Sequence, residues 1–72
     1  MAIITIVVKR VGIEVVDARI KGARLKYYAP GLEIYVFGAC PVSERDKVNY
    51  HAFEQCRMRH IPLKQLVSYG WV

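Results

Sequence analysis

Seventy-two residues amount to one domain, 1–72, and a chain this short buries only about 60% of the surface its unfolded form exposes. With 54% apolar residues it carries more hydrophobic surface than so small a body easily hides, which points to a homodimer, and a net charge of +5 favours polyanionic partners. Two cysteines, Cys40 and Cys56, are too few for a disulfide scaffold and read as reduced thiols, so the chain is expected to be soluble and cytoplasmic.

Residues 2–8 form an apolar run with no cation before it and with Lys9 and Arg10 after it, the wrong polarity for a signal peptide. The run is also far shorter than the about 20 residues that span a bilayer. Both of its parities are apolar, Ile3 and Val7 on one and Ile4, Ile6 and Val8 on the other. That pattern predicts a strand covered on both sides, either central in a sheet or at a dimer seam. After a turn at residues 9–12, residues 13–20 read as a second strand whose apolar phase changes between Val15 and Val16. A β-bulge at that point would reconcile the two phases. Lys21-Gly22-Ala23 supplies the next turn.

Residues 24–37, RLKYYAPGLEIYVF, read as a β-hairpin closed by Pro30-Gly31. Period-2 alternation places Leu25, Tyr27, Ile34 and Val36 on one face and Arg24, Lys26, Tyr28, Glu33, Tyr35 and Phe37 on the other. The first face is core. The second is basic and aromatic.

Beyond Gly38 the period becomes helical. Ser43 and Asp46 form a weak capping box, Glu44 and Asp46 suit the helix dipole, and a helix is predicted over 44–59. Its apolar stripe is Val48, Ala52, Phe53 and Cys56. Pro62 breaks the helix near His60 and Ile61. Leu63, Leu66 and Val67 then suggest a short second helix ending in a left-handed cap at Gly70, with Trp71 folded back on Leu66. The expected fold is therefore a small α+β domain, an antiparallel sheet of about four strands followed by a C-terminal helix and a short second one.

Rings that stack on bases and cations that meet phosphates are the chemistry of single-strand recognition, so Arg24, Lys26, Tyr28, Tyr35 and Phe37 are the candidate nucleic-acid contacts. Single-stranded DNA or RNA is favoured over duplex, and Lys9, Arg10 and Lys21 could extend the positive field. The bland alternative is that Tyr35 and Phe37 are covered by the C-terminal helix, leaving Arg24 and Lys26 on a solvated rim. An acidic protein partner suits the same face, since aromatic residues and Arg also dominate protein hot spots.

Other constellations are weaker. Arg57, Arg59 and Lys64 surround the Pro62 bend, but a helix-turn-helix there would present only Lys64, Gln65 and Ser68 to a groove. Cys40, His51, Cys56 and His60 are zinc-ligand types, yet His51 and Cys56 lie about 140° apart around one helix and cannot converge on one ion. Cys56 with His60, or His51 with Glu54, lacks a third group to orient the imidazole. No cofactor, metal or catalytic residue is therefore expected, and the function read from the sequence is a non-enzymatic accessory or regulatory nucleic-acid binder.

Overall fold

The chain folds in the order β1 (Ala2–Lys9), β2 (Gly12–Val16), β3 (Arg24–Ala29), β4 (Leu32–Phe37), α1 (Arg45–Met58) and β5 (Val67–Ser68). Short 3-10 turns at Val42–Glu44 and Leu63–Gln65 flank the helix. The structure is a computed structural model in which residues 1–70 are described, so the expected position of Trp71 lies outside the described residues. The α+β class is as the patterning predicts. The sheet itself differs, being mixed and five-stranded in the order β2-β1-β4-β3-β5.

Its one parallel pair joins β1 to β4, with Ala2 opposite Leu32, Ile4 opposite Ile34 and Ile6 opposite Val36. These pairs stack matched apolar side chains on one face, against which α1 lays Val48, Ala52 and Cys56. Parallel neighbours need a crossover connection, and residues 17–23 supply part of it. They carry the chain from β2 on one edge, over β1 and β4, to β3 near the other edge.

This strap lies on the face opposite α1. The Thr5 hydroxyl donates to the Ala18 carbonyl at 2.5 Å and accepts from the Ile20 amide at 3.3 Å, so a fully buried threonine ties the strap to the sheet. The phase change at Val15–Val16 is thus the end of β2, whose pairing with β1 is regular from Gly12 to Val16, and not a bulge. The two apolar faces of β1, read from the sequence as those of a strand either central in a sheet or at a dimer seam, belong to a strand inside the sheet and are shared between α1 and the strap.

The predicted helix forms with slightly shifted ends. Glu44, not Ser43, stands at the N-cap of α1 and makes no side-chain capping hydrogen bond, Ser43 lying in the preceding 3-10 turn. Phe53, placed on the buried stripe by the sequence, is 41% exposed, because it sits about 140° around the helix from Val48. At the other end the Ile61 amide donates to the Cys56 carbonyl at 2.9 Å and the His60 amide to the Arg57 carbonyl at 3.1 Å. That is a Schellman stop with His60 at φ 57° where glycine is usual. Among the described residues no second α-helix follows: after a single 3-10 turn, Leu66 becomes extended and Val67–Ser68 adds β5 to the edge of β3. A helix-turn-helix therefore has no recognition helix here. Among the described residues no helix is long and apolar enough to cross a membrane.

Candidate nucleic-acid interface

The β3–β4 hairpin turns where predicted, with Gly31 at φ 82° after Pro30. What differs is the sorting of its faces. The register slips between Leu25 and Tyr27, so that Tyr27 opposes Ile34, Leu25 opposes Tyr35 and Arg24 opposes Val36. Lys26 is the extra residue of a β-bulge, and a bulge reverses the parity of everything before it. Arg24 thereby moves to the helix face and Leu25 to the strap face, the reverse of their predicted sides.

The five candidate residues are split in consequence. Tyr28, Tyr35 and Phe37 remain on the strap face, while Arg24 and Lys26 line a pocket on the α1 side together with Val36, Cys40 and Arg45. The mixed basic and aromatic surface expected from alternation does not exist.

On the strap face the aromatics are largely occupied. Tyr35 is only 8% exposed, the Arg19 guanidinium covers its ring at 4.8 Å from the centroid, and its hydroxyl donates to Glu33 at 2.9 Å. That hydrogen bond to a carboxylate, reinforced by burial and by the charge of Glu33, holds the phenol pKa above its ordinary value, with Arg19 opposing. Phe37 keeps 38% of its surface exposed, with Gly22 of the strap against its ring edge. The cover comes from the strap, not from the C-terminal helix. A base could not stack on Tyr35 without displacing Arg19.

The α1 side is chemically simpler. Arg24 and Lys26 come from β3, and Arg45 is the first residue of α1. The Lys26 ammonium donates to the Gly70 carbonyl at 2.8 Å, which holds it at the pocket wall. Gly22, Gly38, Val36 and Cys40 also line this space of about 390 Å³, and among the described lining residues there is no carboxylate. The neighbouring Glu44 turns to Lys47 at 3.2 Å. Burial pushes the Cys40 thiol up, Arg45 draws it back down, Glu44 adds to the rise and Lys26 again lowers it. An arginine in the first turn opposes the helix dipole and is unfavourable for the helix alone. That is the signal by which Arg45 could have been found in the sequence.

A larger groove of about 980 Å³ runs between the β1–β2 turn and the start of α1, lined by Lys9, Arg10, Val11, Glu44, Asp46, Lys47 and Tyr50 among others. Its charges are mixed, and Lys9 and Lys47 are engaged by Glu14 and Glu44, so it offers no single-signed field.

The remaining chemistry-bearing residues do not assemble. Cys40 and Cys56 carry free thiols. Cys56 is fully buried, burial raises its pKa against the pull of Arg59, and it is out of reach of a substrate. His60 sits exposed beyond the end of α1, and His51 stands edge-on to Tyr50 at 5.7 Å. Among the described residues no three metal-ligating side chains gather. Comparison with protein families, with curated proteins and with solved structures finds no match to this chain.

Proposed function

We propose that this protein is a non-enzymatic, cytoplasmic nucleic-acid binder of accessory or regulatory role that holds its ligand through phosphates. The observation that carries this reading is the convergence of Arg24, Lys26 and Arg45 on one pocket. Cations that face one space raise the local positive potential and attract a polyanion. The net charge of +5 lends the same sign at long range. Stacking plays the lesser part, since Tyr35 is capped by Arg19 and the exposed edge of Phe37 lies on the opposite face.

The test is an anisotropy titration with short single-stranded and duplex DNA and RNA across a range of salt. Neutralising three phosphates should give a log–log salt slope of about −2 on single strands, at about −0.7 per phosphate, and Lys26→Ala should flatten it by nearly one contact. Binding no tighter than about 100 μM at low salt would sink the reading. So would an affinity that ignores salt, which is the behaviour of the rival, an aromatic protein-docking surface.

A further inference from the structure

We propose that the free edge of β2 is a homodimer interface, at which two copies pair antiparallel about Glu14 and join their five-stranded sheets into one continuous sheet. This stands apart from the phosphate-binding reading and does not rest on it.

The two edges of the sheet are unlike. At one, β5 is only Val67–Ser68, and Gly70 just beyond it accepts from the Lys26 ammonium at 2.8 Å. The other edge is β2, five residues long, with no proline, lysine or bulge to discourage a further strand.

Its free backbone groups follow from the register. The Ala2 amide donates to the Gly31 carbonyl at 2.8 Å on the β4 side, so in the regular strand β1 the even-numbered residues turn their backbone groups to β4 and the odd-numbered ones to β2. Gly12, Glu14 and Val16 stand opposite Lys9, Val7 and Thr5, and their amides and carbonyls are used within the chain. Those of Ile13 and Val15 therefore point out of the sheet. Two antiparallel copies can bond only where these outward residues meet. Centring on Glu14 sets Ile13 of each copy opposite Val15 of the other, two pairs that each exchange a donor and an acceptor both ways. Centring on Ile13 or on Val15 keeps one such pair, since the next partner would be Val11 in the turn or Asp17 beyond the end of β2.

The side chains agree with the Glu14-centred register. Ile13 and Val15 are half-buried on the α1 side, beside Val8 and Ile6 of β1. Pairing about Glu14 runs Val8, Ile13, then Val15 and Ile6 of the second copy in one unbroken apolar row, with the same row reversed across the dyad. Both cores then continue through the joint. The groove of about 980 Å³ keeps the α1 side of this edge open, and Val11 and Tyr50 in its lining are 92% and 61% exposed, so a second strand here shields apolar surface that the chain leaves bare. On the strap side the two Glu14 side chains meet at the dyad. That is the one unfavourable contact, and it is a weak one, because each glutamate is exposed and held by its own Lys9.

The experiment is sedimentation velocity of the full chain, free of nucleic acid, from about 1 to 500 μM, with amide hydrogen exchange at both ends of that range. A monomer–dimer equilibrium with Kd of about 1 to 100 μM is expected, the weak end of specific association. Exchange of the Ile13 and Val15 amides should slow several-fold at the high concentration. Val15→Pro removes one outward donor and no bond within the chain, so it should give a folded monomer. Glu14→Lys tests the register without touching the backbone: it should weaken its own dimer several-fold and pair preferentially with the wild-type chain, whose Glu14 it would then face.

A monomer at about 500 μM would overturn the inference. So would a dimer in which Ile13 and Val15 exchange as fast as in the dilute chain, since it would be built on another surface. A Glu14→Lys chain with no preference for wild type would remove the pairing about Glu14, and with it the proposed interface.

Discussion

On the α1 side of the sheet, Ile4, Ile6, Leu32, Ile34 and Tyr27 are at most 2% exposed and meet Val48, Ala52 and Cys56 of the helix, with one polar contact, the Tyr27 hydroxyl donating to the Asn49 side-chain carbonyl. On the other side, Thr5 is fully buried and Tyr35 nearly so, yet what covers them is the strap, acting through two hydrogen bonds and one guanidinium. The same strands β1 and β4 thus carry a mainly apolar face and a polar-anchored face back to back. One helix of fourteen residues can roof only one side of five strands, and the chain closes the other with backbone. Ile3, on the strap side, keeps 38% of its surface exposed, so that cover is incomplete.

The largest expected effect tests whether this asymmetry is energetic as well as geometric. Ile34 and Phe37 belong to β4 and point to opposite faces, the first fully buried and the second 38% exposed. Ile34→Ala should cost about 4 kcal/mol through lost transfer energy and a cavity under α1, while Phe37→Ala should cost about 1 kcal/mol despite removing more atoms. Urea unfolding of both variants decides it. Equal losses would mean that the strap face is as tightly packed as the helix face, and the comparison would break.

A second substitution strikes the seam where both faces end. Gly38 follows β4 at φ 101°, and a Cβ there would lie 2.4 Å from the Val8 carbonyl oxygen, a backbone atom that cannot swing aside. Gly38→Ala should cost about 3 kcal/mol, near the top of the range for a strained backbone site. Gly31→Ala in the hairpin turn meets nothing within 4 Å and should cost about 1 kcal/mol for its conformation alone. Thermal melts that give the two variants the same loss would show that the close approach to Val8 relaxes freely.

How far these features were legible in the sequence varies with the range of the interaction. Pro30-Gly31 and the alternation around it announced the hairpin because a turn is local, and the Val48–Ala52–Cys56 spacing announced the buried side of α1 for the same reason. Nothing local says that β1 pairs in parallel with β4, since that choice depends on where residues 17–23 carry the chain. Val67 followed Leu63 and Leu66 at helical spacing, but Val67–Ser68 became a strand because the open edge of β3 offered partners that the pattern could not show. The bulge at Lys26 was hidden by chemistry. Tyr27 and Tyr28 are both amphipathic, so either parity of RLKYYA looks reasonable, and the error moved two of the five candidate contacts to the other face. Arg45, the third wall of the pocket, was visible only as a charge at the start of a helix.

A smaller change addresses the anchor of the strap. Thr5→Val keeps the volume and removes the hydroxyl, leaving the Ala18 carbonyl and the Ile20 amide without that partner. The expected cost is about 2 kcal/mol, typical of a buried group deprived of its hydrogen bond. Hydrogen exchange should report it locally, with the Ile20 amide losing protection while amides of the β1–β4 ladder lose only what the global change dictates. If Ile20 and the ladder change together, the strap is part of the same cooperative unit as the helix face, and the distinction between the two covers is one of chemistry alone.

The smallest effect is a titration that reads the strap face from within. The Tyr35 hydroxyl donates to Glu33, and ionisation would forfeit that bond and set two negative charges side by side, so the folded-state pKa stands above the ordinary 10.0. A raised folded value favours the protonated phenol in the native state. Its contribution to stability is whole below the ordinary tyrosine pKa and is lost as pH rises through the folded one. Glu33→Gln removes the carboxylate charge and should bring the Tyr35 phenolate transition down, and Arg19→Ala removes the cation at 4.8 Å and should move it up. Phenolate absorbance, with Tyr35→Phe subtracted to isolate one ring among five tyrosines, measures both. Opposite shifts would place Arg19 and Glu33 on the same ring in solution as the structure has them, and a Tyr35 transition indifferent to Arg19→Ala would mean that the strap leaves the ring open to a partner after all.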